Sequence, residues 1–248
     1  MYPNHHELDL NRPLWEQVSC LTNDEYENIC NKPIIYGDTA YTYDYSKIKL
    51  YQHAFFNQLM QSSLLLCYMV WIPYVYHLHT QLTTICTYTM LVGVASWYIY
   101  AYWFHRFHHS DISNKYANSY YKRLWHFNGH GYHHICPHDY RRIVIHPIIA
   151  SIVLFPHGIL TYCLMNNETL SFQTGLVIGH MLIETSHYSV HYFTLLTPFI
   201  RQLKNHHLSH HYKLPHKLFA YGHKMEDKVW TKIVGDIEHI KTNKIKDI

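Results

Sequence analysis

Histidine accounts for 25 of the 248 residues, and ten of these copies fall into four groups with helical spacing. The pairs are His105 with His109 and His187 with His191. The triplets are His130, His133 and His134, and His207, His210 and His211. Residues at i, i+3 and i+4 share one face of a helix, so each group can aim its rings at a single point. Neutral imidazole is a good ligand for zinc, copper, iron and nickel. Ten protonated rings at one depth would repel one another, whereas a bound metal keeps them deprotonated. The pattern therefore predicts a metal site, while isolated copies such as His77, His79 and His157 read as packed or interfacial residues.

Counting nitrogens narrows the metal. Two tetrahedral zinc ions would use about eight nitrogens and leave two rings without a role. Five nitrogens for each of two ions leave an open position on each, as oxygen chemistry at iron requires. The count prefers iron without deciding it, and zinc outcompetes ferrous iron at nitrogen sites, so purified protein can hold zinc.

These rings must be positioned by the intervening chain. From Leu50 through His105 there is no Asp, Glu, Lys or Arg, a run of 56 residues. That is long enough for two membrane spans of about 20 residues each, expected at 55–77 and 83–104 with a turn at "HLHTQ". A second uncharged run, Ile143 to Asn167, is followed by Thr169 to Phe199, interrupted only by Glu184. It predicts spans at 147–165 and 170–190, turning at "NNET". The expected fold is an all-α integral membrane protein with four transmembrane helices in two hairpins. A cytosolic histidine-rich cap, 105–146 and 191–240, holds a dimetal centre in this reading. Residues 1–49 form a cytosolic segment ahead of the main domain, 50–248. Buried helices of a soluble protein are the alternative, but a 56-residue uncharged run is hard to cover with so little protein.

The basic residues fit this layout. Of 20 Lys and Arg, four precede residue 50, six lie in 106–142 and ten in 201–248, with none in either hairpin turn. Cytoplasmic segments carry the Lys/Arg excess, which puts both termini and the central segment on the cytosolic side. A net charge of +3 does not by itself imply a nucleic-acid partner. The six cysteines form no C-x-x-C pair and read as free thiols in a reducing setting. "MYPNHHELDLNRP" lacks the basic start and apolar core of a cleavable signal. The tail "KIKDI" resembles a dilysine-type retrieval signal, which points to the endoplasmic-reticulum membrane. "NET" from Asn167 reads as a glycosylation acceptor that is hard to reach so close to a membrane.

Taken together, H-x3-H (105–109), H-x2-H-H (130–134), H-x3-H (187–191) and H-x2-H-H (207–211) resemble the fatty acid hydroxylase superfamily of integral-membrane diiron oxygenases. Within it the likeness is nearest to the fatty acid 2-hydroxylases that act on ceramide acyl chains. "RPLWEQV" at 12–18, "WIPYV" at 71–75 and "HFNGHGYHHICPHDYRRIVIHP" at 126–147 resemble segments of those enzymes. So does the closing "HHLSHHYKLPHKLFAYGHKMEDKVW". Two departures stand out. Members of that group commonly separate the first two ligands by four residues, whereas "HRFHHS" offers His109 at three or His108 at two. His109 keeps both rings on one face, with His108 in reserve. An H-P-G-G haem motif of a fused cytochrome b5 domain is also absent, so electrons are expected from a separate cytochrome b5 and its NAD(P)H reductase.

The resemblance implies two iron ions as cofactors, O2 as co-substrate and hydroxylation at C2 of a fatty acid or ceramide acyl chain. It implies that all ten histidines, His105, His109, His130, His133, His134, His187, His191, His207, His210 and His211, serve as ligands. His126 and Glu184 lie one turn from ligands and read as partners that orient them. Glu184 reads equally as an interfacial carboxylate with a solvated head. Asp139 and Arg142 read as a surface pair ahead of any catalytic role. Two other readings remain: a sterol desaturase or sterol methyl oxidase on the same scaffold, and a non-enzymatic zinc-binding membrane protein. "RPLWEQV" and P-x-D-x-x-R favour the fatty acid branch over the first. Ligands gathered at one edge disfavour a transporter, which needs them near mid-membrane.

Overall fold

A computed structural model of the chain describes residues 8–30, 32–35, 39–82, 86–112, 120–165, 168–194, 197–215, 217–221 and 224–234. Every regular element among them is helical. Short helices α1 (Leu14–Val18), α2 (Asn23–Cys30), α3 (Thr39–Thr42) and α4 (Ala54–Leu59) precede the longer α5 (Leu64–Thr80) and α6 (Thr87–Ile112). Then come α7 (Tyr120–His126), a π-turn at Phe127–Gly131 and α8 (Tyr132–Ile135). The chain continues through α9 (Pro147–Met165), α10 (Thr169–Tyr192), α11 (Pro198–Tyr212) and α12 (Met225–Val234).

Helix α10 lies at the centre, packed against α6, α5, α9 and α11. Its contact with α6 is unusually close because glycines face the partner backbone. A Cβ on Gly93 of α6 would collide with the Phe172 carbonyl, and one on Gly175 of α10 with the Met90 carbonyl. Around this contact Trp71, Trp97, Leu154, Leu176, Val177 and Ile183 form one core. A second core joins the N-terminal segment to the histidine-bearing α8. Leu14, Val18, Tyr26 and Ile48 pack there with Phe127, Tyr132 and Ile135.

The expected spans meet the structure unevenly. Helix α9 covers 147–165 as expected, and α10 covers 170–190 and two residues beyond. The first expected span, 55–77, is not one helix. Helix α4 stops at Leu59, and α5 starts afresh because the Ser63 hydroxyl accepts from Leu66 N–H at 3.0 Å and caps it. The second, 83–104, loses its boundary with the cap: residues 83–85 lie outside the described residues, and α6 runs unbroken to Ile112. Uninterrupted helix is what keeps His105 and His109 on one face. Among the described residues no helix is long and apolar enough to cross a membrane. The "KIKDI" tail and Asn167 of "NET" lie outside the described residues.

Candidate metal centre

Four elements deliver the ten rings. Helix α6 brings His105 and His109, and the π-turn and α8 bring His130, His133 and His134. Helix α10 brings His187 and His191, and α11 brings His207, His210 and His211. The π-turn widens the backbone where the chain passes closest to other side chains, a device common at functional sites. A Cβ on Gly131 would stand 2.5 Å from the Tyr26 hydroxyl and 2.6 Å from His126 Nδ1, so the passage requires glycine. Helix α11 starts at Thr197, whose hydroxyl accepts from Ile200 N–H, followed by Pro198 at the first helical position.

The rings assemble as two groups of five. His105, His109, His130, His134 and His210 form the first; His133, His187, His191, His207 and His211 form the second. Within each, one nitrogen from every ring lies within 4.8 Å of all the others. All ten residues are buried. The membership corrects the expectation that each run of histidines aims at a single point. Pairs at i and i+4 stay together, but His133 leaves its triplet for the second group and His210 leaves its own for the first. The two groups are thereby interleaved, and the rings of His134 and His211 stack across the divide at 4.4 Å between centroids.

Contacts inside the groups are short. In the first, Nε2 of His130 lies 2.8 Å from Nε2 of both His105 and His134, and Nε2 of His134 lies 3.1 Å from that of His210. In the second, His207 Nε2 lies 2.8 Å from that of His191 and 3.0 Å from that of His211, and His133 lies 3.0 Å from His187. His105 Nδ1 donates to the Phe219 carbonyl and His210 Nδ1 to the Lys217 carbonyl, each at 2.7 Å. In those rings Nε2 is therefore the lone-pair nitrogen, and it points into the group. The buried Nε2 of His109 has no hydrogen-bond partner. Converging lone pairs repel unless a cation lies among them. Two nitrogens about 2.1 Å from a common ion and about 90° apart would stand about 3 Å from each other, so the spacing fits metal ligation.

Electrostatics agree. Burial, reinforced by neighbouring imidazoles, holds His105, His109, His130, His133, His134, His191, His207 and His211 well below the ordinary histidine range. Burial also brings His210 down to about 4. The rings are thus neutral at pH 7, the form that binds metals.

The surrounding residues answer the remaining expectations. His108 stays outside both groups, stacked on Trp125 with its Nδ1 2.8 Å from the Phe104 carbonyl, so His109 is the ring that completes the set. His126 Nδ1 shares a hydrogen bond with the Tyr26 hydroxyl at 2.7 Å rather than holding a ring of the groups. Glu184 accepts from Ile145 N–H at 3.0 Å and lies 3.6 Å from His180. At 4 % exposure it is no solvated interfacial carboxylate. Asp139 and Arg142 do form a pair, at 2.5 Å, but with 0 % and 3 % side-chain exposure it is buried rather than on the surface. Its position follows from the hydrogen bonds it collects: Asp139 also accepts from Tyr132 and from Arg141 N–H, while Arg142 donates to the Ile48 carbonyl.

Sequence spacing did not reveal the carbonyls of Lys217 and Phe219, or Tyr221. The Tyr221 ring stacks on His105 at 4.5 Å and meets His187 edge-on at 5.1 Å, so it touches both groups. Burial and then the Glu184 carboxylate hold its hydroxyl well above the usual phenol range. All six cysteines are free thiols, as expected.

Comparison with known proteins gives the setting. No protein-family model matches the chain. It is 26% identical over 248 residues to the dihydroceramide fatty acyl 2-hydroxylase FAH2 of Arabidopsis thaliana, covering 97% of this chain and 98% of that protein. It is 30% identical over 244 residues to the ceramide very long chain fatty acid hydroxylase SCS7 of Saccharomyces cerevisiae, covering 94% of this chain and 59% of the yeast protein. The human fatty acid 2-hydroxylase is 31% identical over 160 residues, 61% of this chain and 41% of that protein. A solved structure of full-length scs7p, in which only the hydroxylase domain is visible, superposes with a TM-score of 0.76 at 27% identity, covering 92% of this chain and 85% of that one.

Proposed function

We infer that this chain, a homologue of the fatty acid 2-hydroxylases, is itself a fatty acid 2-hydroxylase that acts on the acyl chain of a ceramide or fatty acid. The observation that carries this reading is the pair of interleaved five-imidazole groups, on a chain related over nearly its full length to proteins named for that reaction. The reaction replaces C2–H by C2–OH with one atom of O2, releases the other as water and consumes two electrons and two protons.

His105, His109, His130, His134 and His210 would hold one iron, and His133, His187, His191, His207 and His211 the other. Bound there, the two irons supply the redox chemistry that zinc lacks. The protein's own part is to keep ten rings neutral and buried, and to fix the His105 and His210 tautomers through the Phe219 and Lys217 carbonyls. Tyr221 lies against rings of both groups, His105 of the first and His187 of the second.

The substrate's setting in this reading is the endoplasmic-reticulum membrane, with four spans and both termini in the cytosol. Support comes from the outer faces of α5 and α9, where Leu65, Met69, Ile72, Ile148, Ile152 and Ile159 are exposed. Exposed apolar faces of this extent mark contact with lipid or protein. In α5, Tyr76 is also exposed, and tyrosine suits the membrane–water boundary. Electrons come in this reading from a cytochrome b5 and its NAD(P)H reductase.

Expression in cells lacking their own 2-hydroxylase, beside a His133→Ala control, tests the proposal. Mass spectrometry of ceramides is expected to show 2-hydroxylated species with the parent chain and none with the control. Altered sterols with unchanged sphingolipids would instead favour a sterol-modifying enzyme.

A further inference from the structure

The two five-imidazole groups differ in what stands behind them. In the first, one stretch of chain holds two rings, since His105 and His210 donate to the Phe219 and Lys217 carbonyls at 2.7 Å each. Between those carbonyls Leu218 adopts φ 65°, a left-handed conformation that L side chains adopt only when their surroundings enforce it. In the second group, the Nδ1 atoms of His191 and His211 are buried without a hydrogen-bond partner, as is that of His134 in the first, so the backed rings of the first group are His105 and His210.

What enforces the bend lies on α12. Asp227, 8 % exposed, accepts from Phe219 N–H at 2.8 Å, from Ala220 N–H at 3.2 Å and from His206 Nε2 at 2.7 Å. One carboxylate thus ties α12 to α11, which carries rings of both groups, and to the carbonyl-bearing segment, which holds two rings of the first. Helix α12 is itself seated on α6 close to His105, because Trp230 stacks on Tyr102 at 6.1 Å and meets Trp103 edge-on at 5.1 Å. We propose that Asp227 is a positioning residue for one metal position alone: through the segment Lys217–Ala220 it fixes the His105 and His210 rings of the first group. The proposal rests on the dimetal reading. It makes the tail the outer support of one half of the centre, so that the two ions differ in how firmly they are held.

Partners that orient metal-bound histidines commonly contribute 10–100-fold to metal affinity. The test is stepwise removal of metal by a chelator from the purified full-length chain loaded with zinc, followed as ions released per chain. The unaltered chain is expected to hold two ions. Asp227→Ala is expected to hold one of them on the order of 10–100-fold more weakly and the other unchanged. His105→Ala should weaken the same ion and His187→Ala the other, and adding Asp227→Ala to His105→Ala should cause little further loss at the first position. Asp227→Asn, which keeps the side-chain volume and one acceptor oxygen, should show a smaller loss at the same ion, and it serves if the alanine variant does not fold. Trp230→Ala supplies the comparison for a loosened helix with the carboxylate intact; a chain destabilised only in general would lose both ions together.

Equal weakening of both ions in the Asp227 variants, or of neither, overturns the proposal. An unaltered chain that binds no metal overturns the dimetal reading instead.

Discussion

His133 and His134 are neighbours in the chain but serve different groups: His133 Nε2 lies 3.0 Å from His187 in the second, while His134 Nε2 lies 2.8 Å from His130 in the first. Successive residues on a helix point about 100° apart, so two adjacent rings cannot share one centre. The H-H dipeptide therefore acts as a bridge. His210 and His211 repeat the arrangement on α11, and two such bridges lock the halves of the centre at a fixed separation.

Each member of the dipeptide should consequently remove a different ion. His133→Ala and His134→Ala are both expected to lower 2-hydroxylated product by about a hundredfold or more, exceeding the usual effect of residues that merely support a ligand. Metal analysis should find about one ion per chain in each. Two ions retained in either variant would remove that ring from the ligand set.

The buried Asp139–Arg142 pair anchors α8, which carries His133 and His134, to Ile48 of the N-terminal segment. Removing one member of such a pair leaves an unpaired buried charge and costs about 3–5 kcal/mol. Asp139→Ala should therefore lower the thermal midpoint well below that of Lys47→Ala, which breaks only the exposed, solvent-screened pair with Asp44. Equal midpoints would show that the buried pair adds nothing to stability.

How far the sequence revealed the centre depended on the distance the inference had to reach. The i, i+4 spacing made His105/His109 and His187/His191 visible as shared helix faces, and the two groups keep those pairs intact. The exchange of His133 and His210 was not visible, because it depends on how α8 and α11 face each other across the bundle. Nor were the Phe219 and Lys217 carbonyls, since any residue supplies a carbonyl and only tertiary placement selects two of them. Charge patterning located α9 and α10 closely. It missed the break at Ser63, where a local cap restarts the helix within an uncharged run.

Acid should unfold the metal-free protein. An unfolded histidine titrates near 6.5, whereas the buried rings titrate lower, His210 at about 4 and eight others well below the ordinary range. Between those values the unfolded chain binds more protons, so stability rises with pH in that window. The contribution is fully present above about pH 6.5 and is lost as pH falls toward 4. Thermal melts of metal-free protein should show a steep drop in midpoint from pH 7.5 to 5. A flat profile would mean that the rings do not share a buried neutral state.

The close contact of α6 and α10 sets the distance between the helix that carries His105 and His109 and the one that carries His187 and His191. A Cβ on Gly175 would collide with the Met90 carbonyl and stand 3.0 Å from Val94 N, both rigid backbone atoms. Gly158→Ala makes the contrast: its nearest contact, 3.2 Å, is the flexible tip of Gln173. Alanine inside a helix is favoured over glycine by about 0.5–1 kcal/mol, so Gly158→Ala should be neutral or slightly stabilising. Gly175→Ala forces the helices apart, which should cost about 1–3 kcal/mol as overpacking does. Because the displaced helices carry ligands of both groups, metal content and hydroxylated product should fall with it. Equal midpoints for the two variants, with full metal content in both, would show that the α6–α10 spacing does not set the centre.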